Sequence, residues 1–219
     1  MKITLCVPIL VGMVFSFYTS NSWAYDNFPK TLDKSCRKGD ALIYDECSDQ
    51  SKLFKAALAK AREENKSLLV SYGAEWCIWS HVFDAYINGK TTVFNYTYAL
   101  PDAPEHKMHA TLFERESSDV SKLAKALNHY VNDNFVVVHI EANFAEKSSL
   151  PILVKTRAIE AYSGGVPYNF VVDAKGLYVG HIDPDKVEIR RDTADWYRGY
   201  DRQKLLEELR NLREQAKAR

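Results

Sequence analysis

The chain has 219 residues, with 29 Lys plus Arg against 29 Asp plus Glu, so its formal net charge at pH 7 is zero. That balance gives no long-range field toward nucleic acid or an acidic membrane surface, which excludes bulk charge as the basis of recognition. The length fits one domain with a sizeable core and an insertion once a targeting segment is set aside.

The first residues read as a secretory signal. Lys2 is followed by an apolar stretch from Ile3 to Tyr18, and Ser22 and Ala24 supply the small-x-small pattern for cleavage before Tyr25. The stretch is interrupted by Pro8 and Gly12 and falls short of the roughly 20 residues a spanning helix needs. The expected organisation is a signal peptide over 1–24, an N-terminal arm over 25–47 and a single domain over 48–219. The mature protein is expected in the periplasm or secreted, without stable membrane insertion and in a disulfide-permissive compartment.

Cys6 leaves with the signal, so the mature chain keeps Cys36, Cys47 and Cys77, an odd number. Cys36 and Cys47 are close in sequence, and a structural disulfide between them is the economical pairing. Closing so short a loop contributes about 3 kcal/mol on the chain-entropy model. Connectivity does not follow from spacing, and a pairing of Cys77 with either of them stays open.

The arm carries Pro29 and Gly39 and few periodic apolar positions, and Ala41 to Tyr44 reads as a short edge strand. Ser48 and Asp49 cap a helix over about 48–64, with Leu53, Phe54, Ala57, Leu58 and Ala61 at helical spacing. Ser67 to Tyr72 is a buried strand that breaks at Gly73 and delivers Cys77 to the start of a helix running to Asn88-Gly89. Between 90 and 117 an inserted excursion is expected: Phe94, Tyr96, Tyr98 and Leu100 alternate, Pro101 to Pro104 turn, and Thr111 to Arg115 return.

A helix follows from Val120 through Val131 behind a Ser118-Asp119 cap, then a buried strand over Phe135 to Ile140. Residues 142–162 hold a linking stretch with a short helix around Pro151 to Val154 and Ala158. Tyr168 to Val172 and Leu177 to Ile182 form a hairpin about Asp173 to Gly176. Leu205, Leu206, Leu209 and Leu212 mark the apolar face of a terminal helix whose Arg, Glu and Lys positions are expected in solvent. The order predicts an α/β fold, a mixed sheet flanked by helices.

The segment Trp76-Cys77-Ile78-Trp79-Ser80 after a strand, Gly165-Val166-Pro167 leading into a hairpin, and the final helix together resemble the thioredoxin-like superfamily. Within it the likeness is to exported proteins of the disulfide-interchange and isomerase type. It covers most of residues 48–216, apart from the excursion near 90–117. Two departures stand out: Ser80 replaces the second cysteine of a Cys-x-x-Cys pair, and Ser71 stands where thioredoxins carry a buried acid. The resemblance implies a cis Pro167 facing Cys77, with the backbone of Val166 offering hydrogen bonds to an extended client peptide.

A thiol at a helix N-terminus favours the thiolate, so Cys77 is the expected nucleophile. Ser80 cannot expel a client from a mixed disulfide, and release requires another thiol. His81, one turn beyond, is a candidate thiolate partner or else a solvated helix residue. Trp79 is assigned to a client-binding rim with Val166 and Pro167. The leading expectation is thiol-disulfide exchange or mixed-disulfide capture, in isomerisation or folding quality control. Its partners are client proteins with cysteines or disulfides, with glutathione or a membrane redox partner for recycling.

The alternative is a non-enzymatic protein-binding module on the same fold. Copper handling is a third reading, through Cys77 with His81 or through His106, Met108 and His109, although neither spacing is an established metal motif. No cofactor is implied, and no metal site is assigned.

Overall fold

The computed structural model describes residues 27–33, 35–37, 41–91, 95–100, 103–111, 120–190 and 197–219. The signal segment, the cleavage point before Tyr25, the Ser118-Asp119 cap, Phe94 and residues 112–117 of the expected excursion lie outside the described residues. In chain order the elements are β1 (Asn27–Phe28), α1 (Gln50–Glu63), β2 (Ser67–Gly73), α2 (Ile78–Ile87), β3 (Asn95–Leu100), β4 (Ala103–Thr111), α3 (Val120–Asn134), β5 (Phe135–Glu141) and α4 (Glu146–Thr156). A 3-10 turn (Ala158–Ala161), β6 (Tyr168–Val172), β7 (Tyr178–His181), α5 (Pro184–Val187), β8 (Glu188–Arg190), β9 (Tyr197–Tyr200) and α6 (Arg202–Lys217) complete it.

Five strands form one sheet in the order β1-β5-β2-β6-β7. β1, β5 and β2 run parallel, while β6 and β7 run antiparallel to their neighbours. The chain is therefore α/β with a mixed sheet, as its pattern predicts. Period-two alternation divides the strand side chains between two cores. Leu69, Val137 and Val171 pack with Val82, Phe83, Leu127, Leu205 and Leu209. Leu68, Val70, Val136, Val138, Phe170 and Val172 pack with Phe54, Ala57, Leu58, Ile152 and Leu153 on the other face.

Both faces are covered by helices, which is why β2 and β5 read as continuous apolar runs rather than alternating ones. Each fully buried aliphatic or aromatic side chain contributes roughly 1.5–3 kcal/mol.

Topology places the site. Because β2 and β5 are parallel, Gly73 and Glu141 end side by side, and Ala142 N–H donates to the Gly73 carbonyl at 2.7 Å. Because β6 is antiparallel to β2, its first residue, Tyr168, pairs with Tyr72 near the end of β2. Val166-Pro167 thereby arrives beside the segment that follows β2, at the carboxyl ends of the parallel strands where open α/β sheets hold their ligands.

Several expectations are corrected. Ala41 to Tyr44 is not a strand: its backbone N–H groups go to a side-chain carboxylate, and the edge position belongs to Asn27–Phe28, parallel to β5. The α1 cap is Asp49 rather than Ser48, its carboxylate accepting from Lys52 N–H at 3.2 Å. The return strand of the excursion is Ala103–Thr111, earlier than Thr111 to Arg115. Pro104 sits next to a register irregularity at Ala99/Leu100, the kind of place where a strand tolerates the missing N–H.

The linking helix starts at Glu146 and runs through Pro151, and α5, β8 and β9 lie in a stretch with no periodic signal. Two α6 arginines expected in solvent are buried. Arg202 donates to the carbonyls of Tyr86, at 3.1 Å, and Lys90, while Arg213 donates to Ser67 Oγ at 3.0 Å and the Asn65 carbonyl at 2.7 Å. Carbonyls at and just beyond the end of α2 and before β2 thus draw two cations out of the polar face. Among the described residues no helix is long and apolar enough to cross a membrane.

Candidate functional site

Cys77 is the N-cap residue of α2, with extended backbone and no side-chain cap bond. The turn before it is closed by Cys77 N–H to the Ala74 carbonyl at 3.0 Å, and Ser80 N–H returns to the Cys77 carbonyl at 2.9 Å. Its Sγ donates to the Val166 carbonyl at 3.4 Å, and the Val166–Pro167 peptide is cis. The structure thus brings Cys77, Ser80, Val166 and Pro167 together from two segments 89 residues apart. A second cis bond, Phe28–Pro29, carries no signal in the sequence.

The thiol is 5% exposed, and this changes its chemistry. Burial pushes the Cys77 thiol above its ordinary value, outweighing the Ser80 side chain and the Ser80 and Trp79 N–H groups, which pull it down; the Glu141 charge adds to the rise. The expectation that the helix terminus would favour the thiolate is therefore corrected. Desolvation of a charged sulfur exceeds what a few N–H groups return.

Beneath Cys77 the two serines share a partner that the sequence reading missed. Ser71 and Ser80 are fully buried, and the Tyr44 hydroxyl lies 2.9 Å from Ser71 Oγ and also bonds the Ser80 side chain. Ser80 Oγ accepts from Ala74 N–H at 3.4 Å. Gly73 makes room for this contact, since a Cβ there would collide with the Tyr44 hydroxyl and Ser80 Oγ. Burial holds the Tyr44 phenol far above its ordinary value, so it serves as a neutral hydroxyl.

Tyr44 is delivered by the arm, and Glu75 anchors the arm. The Glu75 carboxylate accepts from the N–H groups of Leu42 at 2.9 Å, Ile43 at 3.1 Å and Tyr44 at 2.8 Å. A Cys36–Cys47 disulfide, as expected, ties the arm again and leaves Cys77 free. His81 is neither solvated nor turned to the thiol as expected: it is buried, with Nε2 2.6 Å from the Glu75 carbonyl and 3.3 Å from Glu75 Oε1.

Burial works to raise Glu75, but the His81 bond and charge and the Tyr44 and Ile43 N–H groups outweigh it and hold the carboxyl below its ordinary range. Glu141 takes the other course. It accepts from Glu75 N–H at 2.9 Å, yet burial and the Glu75 charge raise it despite the N–H groups of Asn143, Glu75 and Phe144.

Trp79 is half-buried and lines a groove of about 290 Å³ with Val166, Pro167, Asn169, His181 and Tyr200. The rim assigned from sequence is thus gathered in one place. Among the described residues no group of three or more His, Cys, Asp or Glu side chains could hold a metal ion. The side chains of His106, Met108 and His109 lie outside the described residues. No family model, curated protein or solved structure matches the chain.

Proposed function

We propose that this is an exported thioredoxin-like protein that uses Cys77 for thiol-disulfide exchange or for capture of client proteins as transient mixed disulfides. The observation that carries the reading is the Cys77 Sγ contact with the Val166 carbonyl before cis Pro167, at the N-cap of α2. The sheet order, with the last two strands antiparallel, supports the superfamily resemblance drawn from the sequence. An extended client segment laid along Val166 would bring its own sulfur to Cys77.

The step conserves electrons. The Cys77 thiol gives its proton to solvent, its sulfur attacks one sulfur of a client disulfide, an S–S bond to Cys77 forms, the client S–S bond breaks, and the leaving sulfur departs as thiolate and takes a proton in turn. Ser80 cannot complete the cycle, so glutathione or a second client cysteine must attack the mixed disulfide and restore Cys77. Ser71 agrees with this role, because a one-cysteine site has no second thiol for a buried acid to deprotonate. Refolding of a scrambled disulfide substrate with glutathione, compared between wild type and Cys77→Ala, tests the exchange; equal rates would sink it.

Two observations favour a second reading, a protein-binding module without turnover: burial raises the thiol, and the Tyr44 hydroxyl is bonded to Ser71 and Ser80 beneath it. On that reading Cys77→Ala binds clients as well as wild type does.

A further inference from the structure

The groove beside Pro167 contains a polar group that the fold leaves unused. Asn169 is the second residue of β6, opposite Ser71 in the ladder, and is 5% exposed. Its main chain is occupied, the carbonyl accepting from Ile182 N–H at 2.9 Å. Its side chain lines the groove with Trp79, Val166 and Pro167, and Oδ1 is buried without a hydrogen-bond partner. Buried amide oxygens are nearly always paired, and leaving one unpaired costs about 1–3 kcal/mol. An asparagine at this position is half of a contact, its buried oxygen gaining a donor when the amide rotates toward a ligand in the groove.

We infer that this groove is the subsite for the client residue next to the captured cysteine, and that Asn169 selects a carboxamide side chain, asparagine or glutamine, there. The inference rests on the proposed capture at Cys77, and the continuity is direct: Val166 both accepts from Cys77 Sγ and lines the groove, and Trp79 stands two residues beyond the thiol. The volume of about 290 Å³, at the lower end of ligand-site volumes, is ample for a side chain. A carboxamide both donates and accepts, so it satisfies Asn169 in either rotation of the amide. An aliphatic side chain would leave Oδ1 unpaired, and an ammonium, although Glu188 lines the same groove, donates to Oδ1 but cannot accept from the Asn169 amide N–H.

The test uses capped Ala-Xaa-Ser-Xaa-Ala peptides, with Xaa glutamine, norleucine or lysine and serine standing for the client cysteine. They are titrated into the protein carrying Cys77→Ala, followed by NMR at the Asn169 side-chain amide and the Trp79 indole. The expected result is about fivefold tighter binding of the glutamine peptide than of the norleucine peptide, with both signals shifting and the preference lost in Asn169→Leu.

Equal binding of the peptides, preference for lysine, no binding, or a preference that survives Asn169→Leu overturns the inference. The amide signal is read in protein that keeps Asn169, so misfolding of the leucine variant does not obscure the result. Because binding is read without Cys77, a glutamine preference in a protein that never forms a mixed disulfide would retain the subsite and overturn the exchange reading alone.

Discussion

Two adjacent rows on one face of the sheet show where the fold is built and where the site is built. Val137, Leu69 and Val171 are ladder partners across β5, β2 and β6; His139, Ser71 and Asn169 are the partners one step along on the same face. Both rows are almost wholly buried. The first is apolar and packs against α2 and α6, whereas the second is polar and lies toward the Cys77 end of β2.

Burial does not separate the rows; the need for hydrogen-bond partners does. Ser71 is served by Tyr44 from the arm. His139 Nε2 lies 3.3 Å from Asp84 Oδ1 without hydrogen-bond alignment, its ring edge-to-face with Tyr44 at 5.2 Å, and Asn169 Oδ1 has no partner. The sheet core thus holds one polar group whose partner another segment brings, Ser71 served by the arm, beside two whose buried atoms lack one.

The comparison is broken most strongly from the apolar row. Leu69→Ala should cost about 2–5 kcal/mol through transfer and cavity terms, read as a fall in the urea midpoint. Glu75→Ala comes next. It leaves the Leu42, Ile43 and Tyr44 N–H groups without their acceptor, a cost of about 1.5–3 kcal/mol for the buried Tyr44 bond and less for the part-buried Leu42 and Ile43 bonds, where water can take over. Hydrogen exchange of those amides should accelerate more than that of β2.

Acid should reproduce this loosening. Glu75 lies below its ordinary range when folded, so its contribution is present above the unfolded value, near pH 4.3, and is lost as pH falls through the lower folded value. Protection of the arm amides that persists below that window contradicts the role given to Glu75.

Ser71→Ala should cost only about 1 kcal/mol, with Tyr44 keeping Ser80 as partner. A loss equal to that of Leu69→Ala would erase the distinction between the rows. The smallest effect is on the thiol. With Cys77 raised by burial, alkylation in the native protein should need higher pH than for a free cysteine, and native stability should decline as pH rises from the free-thiol value through the folded one. A native alkylation profile at or below that of free cysteine contradicts the burial account.

Much of the fold was legible because its signals are local and repeated. The apolar runs of β2 and β5, the helical spacing of α1 and the leucine stripe of α6 each declare themselves over several residues. Asn27–Phe28 did not, because a two-residue strand is defined only by its partner. The arm was misread because its backbone bonds end on Glu75, more than thirty residues away, and no local pattern records a carboxylate acceptor.

The candidate site was legible as a set of positions that the fold brings together, Cys77, Ser80, Trp79, Val166 and Pro167, and less so as chemistry. Helix placement is written in sequence; the depth of burial that raises the thiol, and the turn of His81 toward Glu75, depend on packing from several elements at once. Asn169 gave no signal, since a single asparagine in a short strand becomes notable only when its environment is known.

The central claim is that Cys77 exchanges with a client disulfide, and it is tested most directly by intact-mass analysis after incubation with a cysteine peptide presented as its glutathione mixed disulfide. The account predicts one peptide adduct on Cys77, with glutathione released, removed by reductant and absent in Cys77→Ala. An unmodified protein after prolonged incubation, or an adduct of equal yield in Cys77→Ala, would contradict it.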